Sequence, residues 1–338
     1  MVTNGLAAAG SARFWQGRSV LVTGATGLVG SWLVDALLER QAEVVALVRD
    51  PNTQSEFFRS RMYDRCNVVT GAVEEFASIE RAINEFEVDT VFHLAAQPIV
   101  QVADRFPLQT FESNIRGTYM LLEACRVHER LVRRIVVASS DKAYGTAQEL
   151  PYREDTQLIG RRPYEVSKSC ADLLSQSYFH SYRLPIAIAR CGNIYGGGDL
   201  NWSRLVPGTI KSCLQKMVPV LRSDGTSKRD YIYVKDAVQS YLVLAEKLES
   251  GGSSSIVGEA FNFSCEKPLT SSDVVKSIQK LTQTEQLGMQ VLNQAQSEIH
   301  SQYLDSSKAK NQLDWQARYT FEEGIQETLA WYSSYLSK

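Results

Sequence analysis

A glycine-spaced turn places the first constraint on this chain. The apolar run Ser19-Val20-Leu21-Val22-Thr23 leads into Gly24-Ala25-Thr26-Gly27-Leu28-Val29-Gly30, and a helical pattern follows with Leu28, Trp32, Leu33, Ala36 and Leu37 on one side. Glycines let a chain turn tightly and come close to a ligand. A helix N-terminus just beyond such a turn favours a pyrophosphate. The spacing is GxxGxxG, a relative of the GxGxxG dinucleotide fingerprint. Alone, a glycine turn before a helix can be purely structural. Between an apolar strand and a helix it reads as a nucleotide site, with Gly24, Thr26, Gly27, Leu28, Val29 and Gly30 as candidate contacts.

The same strand-then-helix alternation continues downstream. Apolar runs recur at Glu43 to Val48, Cys66 to Thr70, Thr90 to Leu94, Arg134 to Ser139 and Pro185 to Arg190. Helical patterns lie near Ile79 to Phe86, Phe111 to Val127 and Tyr164 to Tyr182. Strands that are apolar throughout, alternating with helices, imply a parallel sheet covered on both faces. The fold class is therefore α/β, a Rossmann-type doubly wound sheet over residues 14–190. Beyond Arg190 the strands shorten and loops lengthen. Residues 191–338 read mainly as a smaller C-terminal α/β substrate domain, with some strands or helices returning to the first domain. Residues 1–13 read as a flexible tail, and Gly251 to Ser255 as a flexible connection.

Bulk properties exclude several classes. A net charge of -2 with no long run of one sign argues against nucleic acid or an anionic membrane as partner. No apolar run is long enough to span a bilayer. The six scattered cysteines form no CxxC pair and read as reduced thiols, which points to a cytoplasmic protein. The four histidines lack ligand spacing, so no metal is expected.

Chemistry gathers between Ser139 and Lys168. Tyr164 and Lys168 stand four apart and share a helix face. A nearby ammonium, and a positive nicotinamide, would favour the phenolate of Tyr164. That phenolate takes a proton from a hydroxyl as hydride leaves for the cofactor. Ser140, at a strand end, holds the same oxygen. Asp50 lies 20 positions after Gly30 and suits ribose hydroxyls, whereas Arg49 suits a 2′-phosphate. NAD and NADP both stay open, with NAD favoured. A solvated loop is the plain alternative for that pair.

With these motifs in order, the chain resembles the extended short-chain dehydrogenase/reductases, the family of nucleotide-sugar epimerases and dehydratases. The likeness runs from Phe14 to the C-terminus. It is carried by the glycine turn, His93-Leu94-Ala95-Ala96, Asn114, Tyr164 with Lys168, Asn193-Ile194-Tyr195-Gly196 and Leu304-Asp305-Ser306-Ser307-Lys308-Ala309. It implies cofactor contacts at Leu94, Ala95 and Ala96, beside Tyr164 and Lys168. Gly71-Ala72-Val73 departs from the family pattern, with alanine where many members carry an acid, which leaves Val73 to contact adenine through its backbone.

Asp141 and Lys142 narrow the subgroup. The resemblance implies that 4-epimerases carry small residues after the serine, whereas 4,6-dehydratases carry an acid/base pair there. The resemblance implies Asp-Lys in the dehydratases acting on cytidine-diphosphate glucose and in some acting on acetamido sugars, a group that tends to lack the tyrosine kept here. His93 to Pro98, Lys168 to Asp172, Gly196 to Asp199 and Phe14 to Gly17 also look like the cytidine-diphosphate-glucose enzymes. Ser140, Asp141, Lys142, Tyr164 and Lys168 form the candidate catalytic set. Lys142 is assigned as base at C5 and Asp141 as acid near the C6 hydroxyl. A surface ion pair is the plain alternative. A nucleoside-diphosphate sugar is the implied substrate, with Gln97, Asn193, Arg204 and Arg229 as candidate contacts. An epimerase or another NAD-dependent sugar-modifying enzyme is the first rival reading. A non-enzymatic NAD-binding sensor or scaffold is the second. The resemblance also implies a homodimer through the helices near Phe111 to Val127 and Tyr164 to Tyr182, with Leu121, Leu122, Leu173, Leu174 and Tyr178 as candidate interface residues, for which ordinary core packing is the plain alternative.

Overall fold

The computed structural model describes residues 13–146, 149–249, 256–294 and 299–337. The expected tail, apart from Arg13, and the Gly251 to Ser255 connection lie outside the described residues.

The first part of the chain is built from β1 (Ser19–Thr23), α1 (Leu28–Glu39), β2 (Glu43–Val48), β3 (Asn67–Thr70), α2 (Phe76–Glu85), β4 (Thr90–His93), α3 (Gly117–Val127), β5 (Arg134–Ala138), α4 (Pro163–Tyr182) and β6 (Ile186–Cys191). The remainder comprises β7 (Asn193–Tyr195), α5 (Leu205–Leu214), β8 (Val220–Leu221), β9 (Lys228–Arg229), β10 (Tyr231–Tyr233), α6 (Val234–Glu249), β11 (Ala260–Phe263), β12 (Leu269–Thr270), α7 (Ser271–Thr282), β13 (Gln290–Val291), β14 (Ser301–Gln302), α8 (Ser307–Leu313) and α9 (Phe321–Leu336).

Seven strands form one sheet in the order β11-β6-β5-β4-β1-β2-β3. Every neighbouring pair in it is parallel. Successive side chains of a strand point to opposite faces, so an apolar run serves two cores at once. Val20 and Val22 of β1 join Leu33 and Leu37 of α1 and Tyr241 and Ala245 of α6. Leu21, between them, joins Ile79 and Ile83 of α2 and Cys125 of α3 on the other face. The order reverses between β1 and β4, which opens a crevice at the carboxyl ends of those strands.

Residues beyond 190 are divided between two bodies. β11 pairs with β6, and α6 covers the sheet beside α1. β11 is buried throughout and apolar except for Asn262, whose amide bonds the Tyr144 hydroxyl at 2.7 Å and the Tyr152 carbonyl at 3.0 Å. The smaller body packs Tyr195, Val206, Ile210, Tyr233, Val274, Ile278 and Ile325 around its own core. Its helix α9 starts at a reciprocal cap, with Thr320 and Glu323 each bonding the other's backbone amide.

The helical faces proposed for dimerisation need one correction. Leu121 and Leu122 are fully buried in the core of their own chain. They follow the inward stripe of α3, where the sheet and α4 cover them. Leu174 and Tyr178 are partly buried against the same core, while Leu173 is 55% exposed.

Candidate active site

The crevice is set by its closing hydrogen bonds. Thr23 and His93 are register partners at the ends of β1 and β4. The Thr23 hydroxyl lies 2.9 Å from His93 Nδ1 and accepts from the backbone amides of Leu94 and Ala95, each at 3.1 Å. His93 Nε2 lies 3.0 Å from the Thr118 hydroxyl. Burial, helped by Lys168, pushes His93 down to about 3, so it is a neutral bridge between strand and helix.

These bonds draw Leu94 and Ala95 onto the glycine turn. Gly24 has φ +72°, and a Cβ there would stand 2.8 Å from the Ala95 amide nitrogen. At Gly30 a Cβ would stand 2.0 Å from the Gly24 carbonyl oxygen. Neither position tolerates a side chain without backbone movement. At Gly27 a Cβ would meet only the Gly24 oxygen, at 3.3 Å, so that face of the turn opens on the cleft. Gly27 supplies no side-chain cap to α1, and the first turn carries no acid. The leading amides of α1 are thereby left for an anion. A dinucleotide diphosphate fits this cradle. Thr26, Leu28, Val29, Val73 and Ala96 line the same cleft, as do Arg49 and Asp50. Arg49 and Asp50 are exposed and pair with each other at 2.6 Å.

Ser139 and Ser140 follow the end of β5, and a short helical turn over Asp141–Tyr144 comes next. Ser140 caps it: its hydroxyl accepts from the Lys142 amide at 3.2 Å and donates to Asp141 Oδ1 at 3.0 Å. That cap fixes the acid and the amine at the carboxyl edge of the sheet. Opposite, α4 starts at Pro163, a residue suited to a first turn. The Glu165 carboxylate accepts the amides of Arg161 at 2.9 Å and Arg162 at 3.2 Å. Tyr164 and Lys168 then lie one turn apart, both nearly buried.

A π turn over Glu112–Arg116 swings Asn114 into this region. Asn114 accepts the Gln97 amide at 2.6 Å and donates to the Gln97 carbonyl at 3.2 Å and the Ser167 hydroxyl at 2.9 Å. It ties the loop after β4 to α4.

The titrating groups are shifted by burial. Tyr164 is pushed up to about 12, first by desolvation and then by the Asp141 carboxylate; a hydrogen bond from Ser140 and the charge of Arg204 act the other way. The sequence argument expected an ammonium beside the phenolate. Instead the Lys168 ammonium donates to the Ala138 carbonyl at 2.7 Å. Desolvation lowers Lys168 to about 8. Lys142 is also lowered, by desolvation first, with Arg229 adding to the effect and Asp141 opposing it.

Asp141 and Lys142 are not a surface ion pair. Asp141 is buried, and Lys142 Nζ lies 3.4 Å from Asp141 Oδ2. The same Nζ donates to Gln302 Oε1, while Gln302 Nε2 donates to the Asp141 carbonyl at 2.8 Å. Gln302 was not singled out from the sequence. It lies 160 positions from Lys142 on a two-residue strand, and only its pairing with β9 brings it here.

One cleft of about 1880 Å³ runs from the glycine turn to the smaller body and contains all these groups. Gln97, Asn193, Arg204 and Arg229 line it. Arg204 pairs with Asp199 at 2.7 Å and donates to the Ile194 carbonyl at 2.9 Å. Arg229 donates to the carbonyls of Lys228, His300 and Ile299, so among the described residues its hydrogen bonds go to neutral acceptors. Arg222, another lining cation, donates to the amide oxygen of Gln101 at 3.3 Å. Sequence reasoning passed over it because a lone arginine in a loop carries no motif.

Known proteins share this architecture. The family profile described as GDP-mannose 4,6 dehydratase matches residues 21–328. A CDP-glucose 4,6-dehydratase of Salmonella typhimurium is 31% identical over 334 residues, covering 96% of this chain and 92% of that protein. The solved dTDP-glucose 4,6-dehydratase of Bacillus anthracis, in complex with NAD, superposes with a TM-score of 0.82 at 26% identity, covering 94% of this chain and 97% of that one. A UDP-glucose 4-epimerase of Thermotoga maritima, solved with UDP-glucose, gives 0.85 at 25% identity, covering 94% and 99%. Dehydratases and epimerases thus share the architecture, and the profile match over nearly the whole length places this chain in the GDP-mannose 4,6 dehydratase family.

Proposed function

We propose that this chain is an NAD-dependent 4,6-dehydratase of nucleoside-diphosphate sugars, with CDP-glucose the favoured substrate. One observation carries the reading: a buried carboxylic acid and a lysine of lowered pKa follow Ser140 directly and face the same cleft as Tyr164. A 4-epimerase needs only the tyrosine, the serine and the cofactor. The Asp141–Lys142 pair has work only if a proton and a hydroxyl leave the sugar. The likeness to the Salmonella protein supports cytidine as the base.

When bound in the Gly24–Gly30 cradle, NAD would accept a hydride from C4 and later return it at C6. Tyr164 takes the proton of the C4 hydroxyl, with Ser140 bonding the same oxygen. Ser140 favours the developing phenolate through its hydrogen bond, and a bound nicotinamide's positive charge would add to it; Lys168, held on the Ala138 carbonyl, lies one helical turn along. The resulting ketone acidifies the C5 hydrogen. The neutral amine of Lys142 takes that proton, and Asp141 gives one to the departing C6 hydroxyl, which leaves as water. Hydride return at C6 would leave C5 to be protonated. The Lys142 ammonium, 3.4 Å from Asp141 Oδ2 and exchanging with solvent, gives C5 that proton and is neutral again, while Tyr164 releases the proton it took and Asp141 regains one from solvent. Arg229, Arg222 and Asn193 line the cleft and would supply the cations and the amide that the substrate's diphosphate calls for.

A homodimer is part of this proposal. Val127, Leu173 and Tyr182, on α3, on α4 and at its end, are 49%, 55% and 51% exposed. They present apolar surface suited to a second copy. Six unpaired cysteines accord with a reducing, cytoplasmic setting. No helix among the described residues is long and apolar enough to cross a membrane.

The test is incubation with NAD and a panel of nucleoside-diphosphate hexoses. A product lighter by one water, bearing a 4-keto group, supports the proposal. A C4 epimer of unchanged mass refutes it in favour of the epimerase.

A further inference from the structure

We propose that Gln302 is the positioning residue for the Lys142 amine, holding it in place without holding it charged. This deepens the dehydratase reading and rests on it.

Gln302 is fully buried, and both ends of its amide are bonded. Its nitrogen faces the Asp141 carbonyl, which can only accept, so its oxygen must face Lys142. That orientation is settled by chemistry rather than by a choice between two similar atoms. Backbone pairing sets the side chain: Gln302 is in register with Arg229, where β14 lies parallel to β9.

The geometry accounts for all directions around the nitrogen. A neutral amine has two hydrogens and one lone pair. Lys142 has two acceptors, Asp141 Oδ2 and Gln302 Oε1. With both hydrogens so directed, the lone pair takes the remaining direction, and all three side chains line the cleft. When the amine accepts a proton, the two bonds persist and the new hydrogen occupies that direction.

The choice of glutamine matters electrostatically. A carboxylate in its place would hold the amine just as firmly but favour the ammonium. The amide oxygen bonds both forms and adds no net charge. Burial first and Arg229 next lower the pKa of the amine, against the opposing charges of Asp141 and Glu165. A leucine there would leave the amine without its second anchor and the Asp141 carbonyl without its donor.

Single-turnover kinetics with NAD and CDP-glucose separate the steps, because reduced cofactor rises on oxidation at C4 and falls after elimination. In Gln302→Glu, the rise is expected to persist, and the fall to slow by about tenfold or more near neutral pH. The pH limb of the fall moves upward by about one unit or more, so that rate recovers in alkali. In Gln302→Leu the fall slows across the whole pH range with no alkaline recovery. Circular dichroism and thermal melting of both variants check the fold. A folded Gln302→Glu variant whose fall keeps the parent's pH limb overturns the proposal, as does a Gln302→Leu variant with the parent's rate. If the parent chain shows no transient reduced cofactor and no water loss, the dehydratase reading itself is at fault.

Discussion

At the scale of single residues, the site works through burial more than through ion pairing. Lys142 and Lys168 both lose the charged form more easily than in water, because the enclosing protein solvates an ammonium poorly. For Lys142 the direction suits a base. Elimination should rise with pH through a limb below the ordinary lysine value, since the deprotonated amine is the active form. In Lys142→Ala, reduced cofactor is expected to accumulate while the dehydrated product falls by about 10²-fold or more. Normal dehydration by that variant would remove Lys142 from its role. Tyr164 stands differently, since its pKa is pushed up to about 12. Tyr164→Phe removes the group assigned to take the C4 hydroxyl proton and is expected to abolish the first step, with no reduced cofactor formed in a stopped-flow trace, while NAD still binds. Lys168 also makes stability depend on pH. Its folded value of about 8 lies under the unfolded one. Between the two the unfolded chain binds the extra proton, so stability should rise with pH across that window. Lys168→Met should flatten that rise in melts taken from pH 7 to 11.

At the scale of elements, the turn between β1 and α1 and the cap after β5 place the chemistry. Gly30→Ala would set a methyl group 2.0 Å from the Gly24 oxygen, forcing the turn open. Weaker NAD binding by calorimetry is expected, with the sheet intact by circular dichroism. Behind the site, Arg190 of β6 bonds Asp172 of α4 at 2.8 and 2.9 Å and the Tyr144 hydroxyl at 2.8 Å, all buried. Arg190→Met would strand the Asp172 charge and should lower stability by about 3–5 kcal/mol, read from chemical denaturation. Much of this level was legible in the sequence. Apolar runs such as Val20 to Val22 show because both faces of the sheet are covered, and the glycine turn shows because backbone approach excludes side chains. Ser140, Tyr164 and Lys168 sit on regular elements whose spacing shows in the chain. Gln302 was hidden for the opposite reason. Its strand has two residues, too short for any periodicity, and its placement depends on pairing with β9. The outward role expected of Leu121 and Leu122 failed because helical spacing marks an apolar stripe without saying what covers it. The Lys168 bond to Ala138 was equally invisible, since it depends on a backbone carbonyl rather than a residue type.

At the scale of the whole molecule, the two bodies are joined by more than one crossing. α6 and β11 return to the large sheet after the chain has entered the smaller body. The cleft between them therefore has walls from both, with the cradle and Tyr164 on one side and Asn193, Arg204 and Arg229 on the other. A second copy is expected along α3 and α4. Sedimentation velocity should give a dimer, and Leu173→Arg should shift it toward monomer; a monomeric parent at micromolar concentration would exclude that arrangement. The central claim is that oxidation at C4 is coupled to loss of water. Its most direct measurement is mass spectrometry of the product from CDP-glucose, NAD and the purified chain in deuterium oxide. The account predicts loss of one water and one solvent deuterium at C5. A product of unchanged mass with no solvent deuterium would contradict it.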